Sequence, residues 1–247
     1  MTSHTPFFGE LYLRSTRPFL GDRLSDREAG YLAHAFGSVA GLPPGPILDL
    51  GCGHGRHVAR LQGRVAGGRP VVGIDFDRHS LRSREGAFPA VRGDLRALPF
   101  ATRSAGGAYA WYSTLFVFDD PVQRAILAEV ARVLRPGAPL ILQTLPRERL
   151  ERNPTSTWAG ELPDGSRLEE QNRFDPDTGR DEGIRKLTTP DGRVLSAHYF
   201  IRYYRVAELQ DLLSDAGFTV RWIHGGLGGE PVTAESADLI MGVERNG

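Results

Sequence analysis

The chain has 247 residues, 40% hydrophobic and 24% charged, and its 30 basic and 30 acidic side chains leave a formal net charge of zero. This is the composition of an ordinary globular protein with a full core, and the balanced charge argues against a dedicated nucleic-acid partner, which calls for a basic excess or stripe. One cysteine, Cys52, excludes a disulfide framework or a cysteine zinc cluster, and no apolar run reaches the roughly 18–20 residues of a membrane span.

In chain order, "MTSHTPFFGELYL" lacks a basic segment followed by a long apolar one, so no signal peptide is expected and the default setting is cytoplasmic. Residues 7–40 read as helical. In "SDREAGYLAHAFGSVAG" Ser25 can cap, Glu28 follows three residues later, and Leu32, Ala35, Phe36 and Val39 form a stripe. An alternation follows Gly41. "PILDL" is strand-like, residues 55–63 helix-like, "PVVGIDF" a strand, "DRHSLRSREGA" a short helix, and "AVRGDL" and "GGAYAWYS" strands. "DPVQRAILAEVARVLRPG" is a strong helix with Asp120 as cap, Pro121 in its first turn and Gly137 as stop, and "APLILQTL" is a further strand. Repeated strand–helix units imply a parallel sheet covered on both faces. Between about 150 and 200 the pattern changes to strand-like runs broken at "DPDTG" and "PDG", an antiparallel meander. "RVAELQDLLSDAGF" then restores a helix, and "TVRWIHG" and "ADLIMGVER" are two last strands.

The first strand runs into "DLGCGHGR", where Asp49 precedes Gly51, Gly53 and Gly55. A dinucleotide fingerprint would be G-x-G-x-x-G. Here the third glycine comes one residue early, and a carboxylate just before the loop repels a pyrophosphate but suits a ligand that carries a cation. The lone lysine, Lys186, leaves no GKS or GKT phosphate loop.

With these residues in view, "ILDLGCGHGR" resembles the first motif of class I S-adenosylmethionine-dependent methyltransferases, "VVGIDFD" the second and "GDLRALPF" the third. "EVARVLRPGAPLIL" is similar to the helix and fifth strand that follow, and "HYFIRYYRVAELQDLLSDAGF" to the region after the insertion in small-molecule-type members. The resemblance covers about residues 40–145 and 198–247. It implies one α/β domain with a doubly wound, mostly parallel seven-stranded sheet. Residues 1–40 would form an N-terminal helical cap, 41–145 the cofactor-binding core, 146–204 an inserted antiparallel β-meander on the substrate side, and 205–247 the C-terminal part of the core.

The resemblance also implies S-adenosyl-L-methionine as cofactor and in-line methyl transfer to an N or O atom of a small-molecule acceptor. Asp49, Gly51, Cys52 and Gly53 would line the methionine moiety, and Asp75 would take both ribose hydroxyls. Phe76 would pack on the adenine, and Asp94 with the Leu95 amide would meet its amino edge. Tyr112 and Ser113 would face the sulfonium and acceptor, and Tyr12 would belong to a lid; the residues themselves suggest that Arg56 or His57 meets the cofactor carboxylate or the N-terminal segment. Residues 49, 75, 94 and 112 all fall at expected strand ends, where open α/β sheets bind ligands. Two departures stand out: Ala138 replaces the second glycine after the long helix, and "WYSTLFVFDD" lacks the NPPY or DPPY signature of nucleic-acid amino methylases.

Alternation at the end of the insertion puts His198, Arg202 and Tyr204 on one face and Tyr199 and Tyr203 on the other. The functional expectation makes the first group a pocket wall, with His198 or Tyr112 assisting a hydroxyl or amide acceptor and Arg202 and Tyr204 touching substrate. No histidine–carboxylate spacing suggests a metal. Two rivals remain open: a cofactor-binding protein without turnover and, less favoured by the glycine spacing, a nicotinamide-dependent oxidoreductase. The acceptor and the oligomeric state are not legible.

Overall fold

In the computed structural model, residues 7–84 and 86–247 are described. Residues 1–6, at the start of the stretch read for a leader, and Glu85, within the stretch read as a short helix, lie outside them.

Two helices, α1 (Glu10–Thr16) and α2 (Asp22–Gly37), precede the sheet. Ser25 does not cap α2. The helix starts at Asp22, and Ser25 and Glu28 lie inside it, on the buried stripe with Ala29, Leu32 and Phe36. Both polar side chains accept hydrogen bonds from the Arg56 guanidinium, so burial leaves neither unsatisfied.

The main sheet joins β1 (Ile47–Leu50), β2 (Val71–Asp75), β3 (Ala90–Arg92), β4 (Gly107–Ala110), β5 (Pro139–Thr144), β10 (Phe218–His224) and β11 (Leu239–Arg245) in the order β10-β11-β5-β4-β1-β2-β3. Strands β1 to β5 run parallel to their neighbours, and β11 and β10 are antiparallel additions at one edge. All residues of β1, β4 and β5 are buried, as expected of strands covered on both faces.

One face carries α5 (Asp120–Val133) and α7 (Val206–Asp215), whose Ile126, Val130, Leu209 and Leu213 meet Leu48, Leu140 and Met241. The other carries α2 and α3 (Arg56–Leu61), whose Leu32, Phe36, Val58 and Leu61 meet Ile47, Val71 and Tyr109. A one-turn α4 (Arg78–Arg82) follows β2. Asp120 is the first residue of α5 and not its cap. Asp119 holds that position without a capping bond, its carboxylate accepting Arg180 Nη2 at 2.8 Å instead.

Between β5 and α7 a short α6 (Arg147–Arg152) leads into a separate antiparallel sheet of β6 (Thr155–Glu161), β7 (Arg167–Asp175), β8 (Arg180–Thr188) and β9 (Val194–Arg202), in that order. The expected turns at "DPDTG" and "PDG" join β7 to β8 and β8 to β9. α6 is an addition to the expected meander. Leu168, Leu187 and Ala197 of this sheet pack on Phe7 and Leu11, so the insertion and α1 share a core of their own. Among the described residues no helix is long and apolar enough to cross a membrane.

Candidate functional site

The loop after β1 turns sharply because its three glycines all adopt left-handed backbone, with φ of 73° at Gly51, 55° at Gly53 and 80° at Gly55. Their surroundings differ. A Cβ on Gly51 would collide with the Thr114 methyl, and one on Gly55 with the Phe88 ring. A Cβ on Gly53 would meet nothing within 4 Å, so this backbone faces open space. Cys52 is packed the other way, its sulfur against Gly73 of β2, and burial pushes the thiol far above its ordinary range. It fills the turn and is not aimed at the open side.

Asp75, the last residue of β2, ties the loop in place. One carboxylate oxygen accepts the Gly53 amide at 2.7 Å and the other the Asp77 amide at 2.8 Å. Each oxygen keeps a further lone-pair site. Burial raises its pKa despite these bonds. The next side chain, Phe76, is 41% exposed and stands edge-on to Phe8 with ring centroids 5.9 Å apart, so the segment before α1 reaches over this strand end. Asp94, two residues past β3, is held by Arg96, whose Nε lies 2.9 Å from one oxygen and 3.0 Å from the other, and the pair lowers its pKa. The Leu95 side chain points into the main core.

Asp49 lies beside Tyr109 in the β1–β4 register. Burial pushes its carboxyl up to about 7, against the pull of the Tyr109 hydroxyl and the Arg56 charge. An apolar site that raises an acid in this way is poised for a cationic partner.

Arg56 opens α3 and is buried. Its Nη1 donates to Ser25 Oγ at 3.2 Å and to Glu28, while its Nη2 is buried with no hydrogen-bond partner among the described residues. The guanidinium lies 5.0 Å from the centroid of the Tyr112 ring. A buried guanidinium nitrogen without an acceptor is costly, and an arriving anion would relieve it. Glu28 gathers the neighbourhood. It accepts Arg56, His57 Nε2 at 2.9 Å and Trp111 Nε1 at 3.1 Å. Burial drives the His57 pKa down to about 4, so its ring is neutral and donates to an ionised Glu28.

After β4 the chain passes through two left-handed non-glycine residues, Tyr112 (φ 56°) and Ser113 (φ 53°). Each costs about 1–2 kcal/mol and persists only where its surroundings hold it. Gln143 of β5 does so: its Oε1 accepts the Tyr112 amide at 2.7 Å and its carbonyl accepts the Ser113 amide at 3.0 Å. The Gln143 amide is fixed in turn by Asp238 at 2.7 Å, and Ser113 Oγ meets Thr144 Oγ1 at 2.8 Å. The strained turn leaves the Tyr112 ring 41% exposed. Tyr12 of α1 lies within electrostatic reach of Arg56, Arg185 and Asp75.

Asp49, Gly51, Gly53, Arg56, Asp75, Phe76, Asp94, Tyr112, Ser113 and Tyr12 are thus gathered around the carboxyl ends of the parallel strands. His198, Arg202 and Tyr204 are not brought there. His198 is exposed on the face of β9 opposite Tyr199, whose ring centroid lies 4.2 Å from that of Phe7. Arg202 bonds the Tyr203 carbonyl and lies over the Tyr204 ring, while the Tyr204 hydroxyl donates to Gln123 Oε1 of α5 at 2.7 Å in the main core. The alternation holds within β9, where Ala197 and Tyr199 face α1 and its preceding segment, but it ends at Arg202, and Tyr203 and Tyr204 beyond the strand are both buried. The sequence reading gives Glu28 only a capping role and gives Gln143 and Asp238 none, although a glutamate on a helical apolar stripe and a glutamine ending "PLILQ" are visible signals. Among the described residues no three His, Cys, Asp or Glu side chains gather as a metal site.

The arrangement fits a ligand with an anion for Arg56, a cation near Asp49 and a diol for Asp75, draped over Gly53. Comparison with known proteins bears on the domain as a whole. Residues 47–137 match the profile of a family described as a methyltransferase domain. The O-methyltransferase cnsE of Penicillium expansum is 34% identical over 152 residues, which are 58% of this chain and 50% of that protein. The cypemycin N-terminal methyltransferase of a Streptomyces species is 27% identical over 81% of this chain and 82% of its own. The chain spans half or less of the length of the first curated relatives it matches. Among solved structures, the CcbJ methyltransferase from Streptomyces caelestis superposes with a TM-score of 0.79, at 19% identity and with 98% of each chain covered, a likeness of fold. Residues 47–137 of the chain, which hold its glycine loop and first four strands, thus match a methyltransferase domain, and its seven-stranded sheet has the fold of a solved methyltransferase.

Proposed function

We propose that the protein transfers a methyl group from S-adenosylmethionine to a small-molecule acceptor. The observation that carries this reading is the buried, unpartnered Nη2 of Arg56, set in one site with the open backbone at Gly53 and the Asp75 carboxylate. Arg56 would take the carboxylate of the cofactor, and Asp49 would face its positively charged part. Asp75 would accept both ribose hydroxyls, and Phe76, Asp94 and the Leu95 amide would border the adenine. Tyr12 would close the site from α1. When bound, S-adenosylmethionine supplies a methyl on a cationic sulfur that leaves readily, so alignment of the acceptor is the main task.

The residues of this chain do the aligning. Gln143 and Asp238 hold the turn at Tyr112 and Ser113, which sets those side chains at the end of β4 beside the glycine loop. The inner face of the meander and α1 would enclose the acceptor and exclude water, so residues 1–40 and 146–204 act with the core as one functional domain. An enclosed site of this kind suits a small molecule better than a nucleic acid. The lone buried cysteine suits a cytoplasmic setting.

Calorimetry with S-adenosylmethionine, S-adenosylhomocysteine and NAD tests the reading. Both adenosyl ligands should bind and NAD should not. Asp75→Ala should weaken them by about 2–4 kcal/mol through lost charge-assisted hydrogen bonds. NAD binding without response to either adenosyl ligand would refute it.

A further inference from the structure

The face of the meander that packs on α1 carries polar groups of two kinds. Strand pairing sets Asn172, Gly183 and Tyr199 in one row, with Glu170, Arg185 and Ala197 on one side of it and Phe174, Asp181 and Ile201 on the other. Glu170 is compensated: Arg185 Nη2 lies 2.6 Å from its Oε1, and the Tyr199 hydroxyl donates to the same oxygen. Arg185 is anchored further by Ser15 and Thr16 of α1. Asp181 is different. It accepts Asn172 Nδ2 at 3.0 Å and pairs with no described arginine, lysine or histidine. It is half-buried, and burial pushes its pKa up to about 6, with Asn172 opposing and the Glu170 charge adding.

Two aromatic side chains flank this carboxylate. Gly183 has no Cβ, which lets the Tyr199 ring lie directly on β8 in the row next to Asp181. The Tyr203 hydroxyl is within electrostatic reach of Asp181, Tyr199 and the Ser113 side chain at the end of β4. Tyr203, buried where β9 ends, therefore lies between this carboxylate and the turn at Ser113. One uncompensated carboxylate beside aromatic rings is the chemistry that recognises an ammonium group. A neutral hydroxyl there would leave the desolvation of the carboxylate largely unrelieved.

We propose that the methyl acceptor is an amine and that Asp181 holds its nitrogen, with Tyr199 and Tyr203 packed around it. The proposal rests on the methyltransferase reading above. The ammonium gives one proton to Asp181, which frees the nitrogen lone pair. That pair forms the new N–C bond as the methyl–sulfur bond breaks, its electrons leaving with sulfur. The methylated ammonium departs, and Asp181 returns its proton to water.

The test uses the full chain and methyl-labelled S-adenosylmethionine with matched pairs that exchange an amine for a hydroxyl: benzylamine and benzyl alcohol, cyclohexylamine and cyclohexanol, glucosamine and glucose. Label should enter amine members with kcat/KM at least about 100-fold above their partners. Asp181→Asn should lower amine kcat/KM by about 100-fold or more while the Kd for S-adenosylmethionine stays within about twofold, and Asp181→Glu should recover part of the loss. Label on the alcohols, label on neither set while the cofactor binds, or wild-type kcat/KM in Asp181→Asn would each overturn the amine assignment. Failure of the wild type to bind S-adenosylmethionine would bring down the methyltransferase reading and this inference with it.

Discussion

Replacing Glu28 by Gln keeps the size of the side chain and removes its charge, which makes it the most informative perturbation of the network behind the glycine loop. The carboxylate accepts Arg56 and His57 Nε2 on one oxygen and Trp111 Nε1 on the other. A glutamine has only one acceptor oxygen, so in either orientation its NH2 group faces at least one of these donors. The Arg56 guanidinium then stays buried without its counter-ion. Breaking a buried ion pair from one side costs about 3–5 kcal/mol, a large share of the roughly 5–15 kcal/mol by which a domain is stable. With a urea slope near 3 kcal/mol/M, the unfolding midpoint should fall by about 1–1.7 M at unchanged slope. Arg56 should also lose its orientation toward the open site, so calorimetry should show S-adenosylmethionine binding about tenfold or more weaker in variant that is still folded. A midpoint within 0.2 M of wild type (roughly 0.6 kcal/mol by the same slope) together with unchanged affinity would refute the role given to Glu28.

Three further outcomes follow from the same geometry. Gly51→Ala and Gly53→Ala impose similar backbone strain of about 1–2 kcal/mol, but Gly51→Ala also drives a methyl into Thr114, so it should unfold at much lower urea, whereas Gly53→Ala should stay folded and lose cofactor affinity; equal stability of the two variants would contradict the packing. Asp49, raised to about 7, must be ionised to attract a cationic ligand, so affinity should rise with pH up to about 7, by up to about tenfold per pH unit below it, and level off above; Asp49→Asn should flatten the profile, and a flat wild-type titration would refute the assignment. His198→Ala and Tyr204→Phe should leave methyl-transfer kcat/KM within about twofold, with Tyr204→Phe costing about 1 kcal/mol of stability through the lost bond to Gln123, and a large loss of turnover in either would place them at the acceptor after all.

Much of the fold is determined locally. The strand–helix alternation, the glycine loop and the turns at "DPDTG" and "PDG" depend on periodicity and on residues whose backbone preferences act over a few positions, and each appears in the structure close to where the sequence places it. The acids at the strand ends are legible for a related reason: a parallel sheet exposes its carboxyl ends together, so Asp49, Asp75 and Asp94 converge by topology. Tertiary packing decided what period alone leaves symmetric. An alternating strand has two equivalent faces, and only the docking of α1 through Phe7 and Leu11 turned Tyr199 inward and His198 to solvent. Ser25 read as a cap and became a buried member of α2 because Arg56, 31 residues away, supplies its partner. Glu28 gained its place in the same manner, from donors on α3 and after β4 that no local window contains. Long-range hydrogen bonds choose between local alternatives of nearly equal free energy, so they can be read only once the chain has brought their partners together.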